Sequence, residues 1–400
     1  MASGLGAIIL AAGLSSRMGR LKPILPLGGG TLLGQCIEVL REGGVADIVV
    51  VCGHCGEEVA AAAQVYSARP VCNPHFKEGM YSSIMAGVQA LSPTTSTVFL
   101  LPVDMPLIRL GTVSLLAQAM ANAGNMPQVA HPVFRDERGH PLCIRAKLLH
   151  SLCKQEGPPG GLRPLLAAHE QAHPVQVAEV RVADANILVD LDTPEAYRQG
   201  CALFAQRDYP TVEEAEVIVQ HIHLMPDKGL AHGRLVGELA GIFAAAINRR
   251  RGSNLLIELC QVGGLLHDVA KGQANHETQG ALWLGRLGFP RVAAIIAAHK
   301  DLDWQEGQPL GERELVHLAD KLIRGRYLFP IDARFAEKLA QYAHDQEAVV
   351  AIRKRHTLAK QLAQAVEEAC GCELATLCNS LAATHLPTSD CQPVLWSPPF

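Results

Sequence analysis

The sequence predicts two domains of different class: an α/β domain with a mostly parallel sheet and helices on both faces, then an all-α domain. Two observations carry this expectation. Up to about residue 198, short β-branched runs alternate with amphipathic segments, as in βα units whose helices cover both faces of one sheet. After "QRDYPTVEEAE" (206–216) the strand-like runs stop, and every periodic segment to about Glu368 repeats at helical spacing.

Taken in order, strands are expected at Ala7–Leu10, Asp47–Cys52, Val98–Leu101, Gln128–His131, Gln176–Val182 and Ile187–Val189. Helices are expected at Leu32–Glu42, Glu57–Tyr66, Ser82–Leu91, Val113–Ala123, Leu162–Ala168 and Pro194–Phe204. The domains are expected at 1–205 and 206–375. An irregular tail is expected at 376–400, because "THLPTSDCQPVLWSPPF" (384–400) is rich in Pro, Ser and Thr.

Bulk properties narrow the function classes. A chain of 400 residues suits two cores rather than one. A net charge of −4 gives no reason to expect nucleic acid or an anionic membrane as partner, and Arg249–Arg251 reads as a solvated helix end. No apolar run reaches membrane-spanning length and the N-terminus lacks a signal-peptide pattern, so a cytoplasmic protein is expected. The 12 cysteines form no four-ligand zinc spacing. Cys52 and Cys55 match Cys-x-x-Cys at a helix start, where a thiol's pKa falls. Two loop thiols in a reducing compartment is the simpler reading. Cys370, Cys372 and Cys378 lack a matching second half.

The chemistry begins with "LAAGLSSRMG". A strand ends at Leu10, and Ala11, Ala12, Gly13 and Ser15 then allow a tight path whose N–H groups can face a phosphate. Arg17 and Lys22 add positive charge beside it. "LPVDMP" puts Asp104 at a strand's carboxyl end, and "ILVDLDTPEAY" puts Asp190 and Asp192 at another, where carboxylates can hold Mg²⁺. Each aspartate alone is as readily a turn or cap residue, Asp192 especially, just before Thr193–Pro194.

With these residues in view, residues 5–200 resemble the nucleotidyltransferases that complete molybdenum cofactor by joining molybdopterin to a nucleotide, a Rossmann-like fold. "LAAGLSSRMGRLKPILPL", "NPHFKEGMYSSIMAGV", "LPVDMPLI", "GHP" and "DLDTPEAY" occur in the family's order. Ala12, and Leu21 before the lysine, fit the cytidylyl branch better than the guanylyl branch, which usually has Gly and Asp there. The resemblance implies transfer from CTP, or alternatively GTP, to a molybdopterin-type acceptor, with release of pyrophosphate and eventual delivery to a molybdoenzyme. Arg17 and Lys22 would steady the leaving pyrophosphate. Asp104, with Asp190 or Asp192, would hold Mg²⁺. Asn73, Ser82 and Ser83 would lie near base, ribose or acceptor, and His140 would face the acceptor or cap a turn.

The second half carries polar residues on apolar helical faces. His232 falls on the face of Leu235, Val236, Leu239, Ile242 and Phe243. His267–Asp268 ends "LLIELCQVGGLL", His299 continues Val292, Ile295 and Ile296, and Asp320 continues Val316. Sending such groups inward is costly unless a cation joins them. Imidazole plus carboxylate suits Mn²⁺, Fe²⁺, Mg²⁺ or Zn²⁺.

Residues 228–330 resemble the HD superfamily of metal-dependent phosphohydrolases, through "GLAHGRLVGELA", "LLHDVAKG" and "ADKL". The resemblance implies a first metal on His232, His267, Asp268 and Asp320, and a second on His276 and His299 with Asp268 bridging. Many two-metal members have a further His where this chain has Lys300. Lys271 would hold a substrate phosphate or be a solvated lysine, and His317 would be a supporting core residue. A bifunctional enzyme is therefore expected. The alternatives are a sugar-phosphate or other small-molecule nucleotidyltransferase, with the HD half serving as a nucleotide-sensing module.

Overall fold

The computed structural model describes residues 4–122, 126–154 and 159–385. Two compact units divide the chain, Met1–Arg207 and Asp208–Phe400.

In the first unit the strand Leu5–Ala11 lies at the centre of an eight-stranded sheet. Asp47–Cys52 and Thr97–Pro102 flank it, both parallel to it. Arg69–Cys72 closes one edge, and Val129–Phe134 with Val177–Arg181 the other. Leu142–Arg145 is inserted antiparallel between Thr97–Pro102 and Val129–Phe134. The mostly parallel sheet with helices on both faces follows from period-two alternation. Ile8 and Leu10 join a cluster with Ile84 and Val88 of one helix and Leu149 of another. Ala7 and Ile9, equally buried, face the other way. The helices Leu32–Glu42 and Leu110–Ala121 pack against strands of the same sheet.

Two local expectations are corrected. Ile187–Val189 is not a strand: a 3₁₀ turn spans Ala185–Leu188. Buried Asp184 accepts from the Asn186 N–H at 3.2 Å and from the Arg109 N–H at 2.8 Å, which rewards the turn over an extended run. Residues 376–400 are not irregular throughout, because a helix covers Leu374–His385. Its Leu374, Leu377, Cys378 and Leu381 are buried at helical spacing. The rest of the expected tail lies outside the described residues.

Among the described residues the second unit is helical apart from a two-residue-per-strand hairpin, Ile323–Arg324 with Tyr327–Leu328. The helix Asp227–Arg251 is long and apolar enough to cross a membrane by length and composition, contrary to the reading that no segment is. Half of its apolar window is buried inside the unit, and the helix ends on Arg249–Arg251. It crosses the helix Ile257–Leu266 at backbone contact. A Cβ on Gly237 would lie 2.2 Å from the Gln261 carbonyl oxygen, and one on Gly264 would lie 2.2 Å from the Gly237 nitrogen. This crossing sets His232 beside His267, with ring centroids 5.1 Å apart.

Candidate functional site

In the first unit, the loop after Leu5–Ala11 and the segment around Asp192 are clamped together by packing. Met18, Leu25, Leu107 and Leu191 share one buried cluster. The Leu191 N–H also donates to the Asp104 carbonyl at 2.8 Å. The side chains flanking these anchors therefore meet. Lys22 Nζ lies 2.8 Å from Asp104 Oδ2 and 2.5 Å from Asp192 Oδ1, and Arg17 Nη1 lies 2.9 Å from Asp192 Oδ2. Burial opposes the charge on Lys22, but the two carboxylates outweigh it and hold its pKa above the usual lysine value. Hydrogen bonding from Lys22 holds Asp192 below the usual carboxylate value.

The reading of Asp192 as a helix cap does not hold. Thr193 is the N-cap, accepting from the Ala196 N–H, which leaves Asp192 for Lys22. Asp190 is exposed and makes no contact with this cluster among the described residues. Of the two aspartates expected near Asp104, Asp192 therefore joins the cluster, while alternation at Leu191 turns Asp190 outward.

A cleft of about 340 Å³ opens beside these groups, lined by residues from Leu10 through Ser15 and by Lys22, Ser83 and Asp104. Ser15 adopts φ +52° and accepts from the Lys22 N–H at 3.2 Å, while the Met18 and Gly19 N–H groups close onto its carbonyl. Among the described residues no hydrogen bond uses the N–H groups of 13–17, so they are available to an anion. Asn73 does not line the cleft. It donates to Ser82 and Ser83 Oγ at 2.9 and 3.0 Å and accepts from the His75 N–H, which pins the loop to the helix Met80–Ala90. Ser82 Oγ turns back to the Gly79 and His75 carbonyls. Of these three, Ser83 alone reaches the cleft. His140 is mostly buried, and burial lowers its pKa. Cys52 is buried too, its thiol pushed up to about 11, which disfavours redox chemistry with Cys55.

In the second unit all the expected ligands converge. His232 Nε2 and His267 Nε2 lie 3.3 and 3.7 Å from Asp320 Oδ1, and His267 Nε2 lies 3.4 Å from Asp268 Oδ2. On the other side of Asp268, His276 Nε2 and His299 Nε2 lie 3.8 and 3.9 Å from Oδ1. Two three-residue groups can therefore each hold a cation with Asp268 common to both. A divalent ion about 2.1 Å from each ligand sets neighbouring ligand atoms about 3–3.5 Å apart, near these separations.

The donor set fits a metal. His267 Nδ1 is hydrogen-bonded to the Gly264 carbonyl at 2.6 Å and His299 Nδ1 to the Ile296 carbonyl at 2.8 Å. That fixes both rings with Nε2 inward as a lone-pair donor. His267 Nε2 is buried with no hydrogen-bond partner, a cost that a metal ion removes. Lys300, where many two-metal HD members have a further His, reaches Glu277 at 3.2 Å. Lys271 Nζ is 2.5 Å from Asp268 Oδ2 with its stem exposed, and His317 is buried with its pKa pushed down to about 3.

Two participants are not legible in the motif. Buried Lys321 Nζ lies 2.6 Å from Asp320 Oδ2, and Arg334 donates to the Asp320 and Ile323 carbonyls, each at 2.6 Å. The signal for Lys321 is a lysine within the buried run Leu315–Leu322. Nothing in the sequence marks Arg334.

Residues 7–174 match the MobA-like NTP transferase domain, and residues 229–325 match the HD domain. The chain is 31% identical over 194 residues to a molybdenum cofactor guanylyltransferase of Xanthomonas euvesicatoria, covering 48% of this chain and 90% of that one. The chain belongs to the MobA-like NTP transferase family. It also carries an HD domain. Within the MobA-like family it is 28% identical over 198 residues to the molybdenum cofactor cytidylyltransferase of Escherichia coli, covering 49% and 94%. It is also 30% identical over 193 residues to a protein named nicotine blue oxidoreductase from Paenarthrobacter nicotinovorans, covering 47% and 92%. Relatives of the MobA-like domain thus carry names from different reaction classes.

Proposed function

We propose that the first unit transfers a cytidylyl group from CTP to a phosphate of a molybdopterin-type acceptor. An acceptor phosphate oxygen attacks the α-phosphorus of CTP, the bond from that phosphorus to the bridging oxygen breaks, and pyrophosphate departs with the electron pair. The free N–H groups of 13–17 cradle the β- and γ-phosphates, and Arg17 and Lys22 neutralise the charge that builds on the leaving group. Bound Mg²⁺ would supply Lewis-acid neutralisation of the α-phosphate at the Asp104 and Asp192 carboxylates. The observation that carries the reading is Lys22 held between Asp104 and Asp192 at the mouth of an amide-lined cleft. The names of the cytidylyl- and guanylyltransferase relatives support the acceptor class.

The test is an array of CTP, GTP and UTP with molybdopterin or sugar phosphates, scored by pyrophosphate release and product mass. Release only with a sugar phosphate overturns the acceptor assignment, and release only with GTP overturns the nucleotide.

For the second unit we propose metal-dependent hydrolysis of a phosphate ester or anhydride. His232, His267, Asp268 and Asp320 would hold one divalent ion, and Asp268, His276 and His299 would hold the other. A metal supplies water acidified enough to attack phosphorus at neutral pH. Lys271 steadies the substrate phosphate. If metal binds but the wild-type and Asp268→Asn proteins show the same near-zero hydrolysis, the unit is a sensor rather than an enzyme.

A further inference from the structure

The pocket beside His232 and Asp268 is walled by cations beyond those that hydrolysis at one phosphorus requires. It encloses about 450 Å³, a small-molecule volume. Lys228, Lys271, Arg324 and Arg334 line it, each from a different piece of chain. Two of them are locally balanced: Lys271 by Asp268, and Arg334 by the Asp320 carboxylate, 3.7 Å away, and the carbonyls already named. The other two are held less firmly, although Arg324 also lies over the Phe329 ring at 4.9 Å. Arg324 meets Glu337 at 2.6 Å, but both side chains are more than half exposed, so water screens that pair. Lys228 is exposed and has no hydrogen-bond or ion-pair partner among the described residues.

Like charges gathered around one opening repel each other and raise its potential, which a ligand with several negative charges relieves. A monoester carries its charge on one phosphorus, and that phosphorus belongs at the His/Asp end. Lys228 then has no partner among the described residues, and Arg324 keeps only its water-screened ion pair with Glu337. A second or third phosphate gives them a partner. The same opening has an apolar side, where Leu224, 76% exposed, and Met225 offer a surface suited to a nucleobase.

We propose that the HD pocket takes a nucleoside di- or triphosphate in preference to a phosphate monoester, with Lys228 and Arg324 selecting for the additional phosphates. This rests on the hydrolytic reading above. Water oxygen bonds to the terminal phosphorus, the bridging P–O bond breaks, and its electron pair stays on the shortened nucleotide. Inorganic phosphate forms and a proton passes to solvent. The compound consumed is then of the same class as the first unit's proposed donor.

The test uses the full chain loaded with Mn²⁺ and follows phosphate release from CMP, CDP and CTP. The expected kcat/KM for CDP is at least about tenfold above CMP. Lys228→Gln with Arg324→Gln should lower the CDP value by about tenfold and leave CMP within about twofold. Preference for CMP, or an equal loss on both substrates, overturns the proposal. If no substrate is hydrolysed, the hydrolytic reading fails, and titration calorimetry with imidodiphosphate decides the pocket's selectivity separately. Wild type should then bind it at least about tenfold more tightly than Lys228→Gln, the first unit's contribution being common to both. Equal affinity overturns the selectivity as well.

Discussion

Lys22 and Asp104, 82 residues apart in sequence, meet at 2.8 Å where the first unit's cleft opens. Asp192 completes the contact and Asp190 stays outside it. The two aspartates should therefore separate on substitution. Asp192→Ala is expected to slow pyrophosphate release by about 10²-fold or more, as for loss of one preorganised charge, and Asp190→Ala to leave it within about twofold. Equal losses in steady-state assays would show that the loop holds both carboxylates at the reaction centre.

Metal binding in the second unit should appear as stability. Chelated protein titrated with Mn²⁺ to a hundred times Kd is expected to gain about 2.7 kcal/mol against urea, and His267→Ala to gain none. All three tryptophans lie in Asp208–Phe400, so fluorescence reads this unit selectively. A midpoint unmoved by metal in the wild type would refute the ligand set.

Acidification should destabilise the same unit. Burial pushes the pKa of His317 down to about 3, against 6.5 for the free side chain. Between those values the unfolded chain binds a proton that the folded chain refuses. Stability is therefore complete above about pH 6.5 and falls with pH by about 1.4 kcal/mol per unit from this group. His317→Leu, compared with wild type by urea unfolding of chelated protein at pH 6 and pH 4.5, should show a shallower slope by that amount. An unchanged slope would mean that the ring is protonated when folded.

The helix crossing that joins His232 to His267 depends on bare backbone. Gly237→Ala is expected to destabilise by about 1–3 kcal/mol, because its Cβ would meet the Gln261 carbonyl. Gly285→Ala, with open space around its Cβ inside the helix His276–Leu287, should instead stabilise by about 0.5–1 kcal/mol. Thermal unfolding of the two variants checks both signs.

How much of this was legible varies by element. Leu32–Glu42 and Asp47–Cys52 form over the residues expected, because Thr31 caps the helix on the Gly34 N–H and an unbroken β-branched run makes the strand. Leu142–Arg145 is not legible, since four residues paired antiparallel within a parallel sheet carry no βα signature. Periodicity brought His232, His267, Asp268, His299 and Asp320 to core positions. It could not choose Asp192 over Asp190, a matter of one side-chain alternation at Leu191, nor find Arg334, which acts from a separate helix. The glycines at 233, 237 and 241, spaced four apart, are a readable mark of a close helix crossing.

The most direct measurement is pyrophosphate release from CTP, Mg²⁺ and molybdopterin by wild type and Lys22→Met, with the nucleotide-bearing product weighed by mass spectrometry. The expected result is a cytidylylated pterin from wild type and a rate lower by about 10²-fold or more in the variant. Release at the wild-type rate by Lys22→Met would contradict the account.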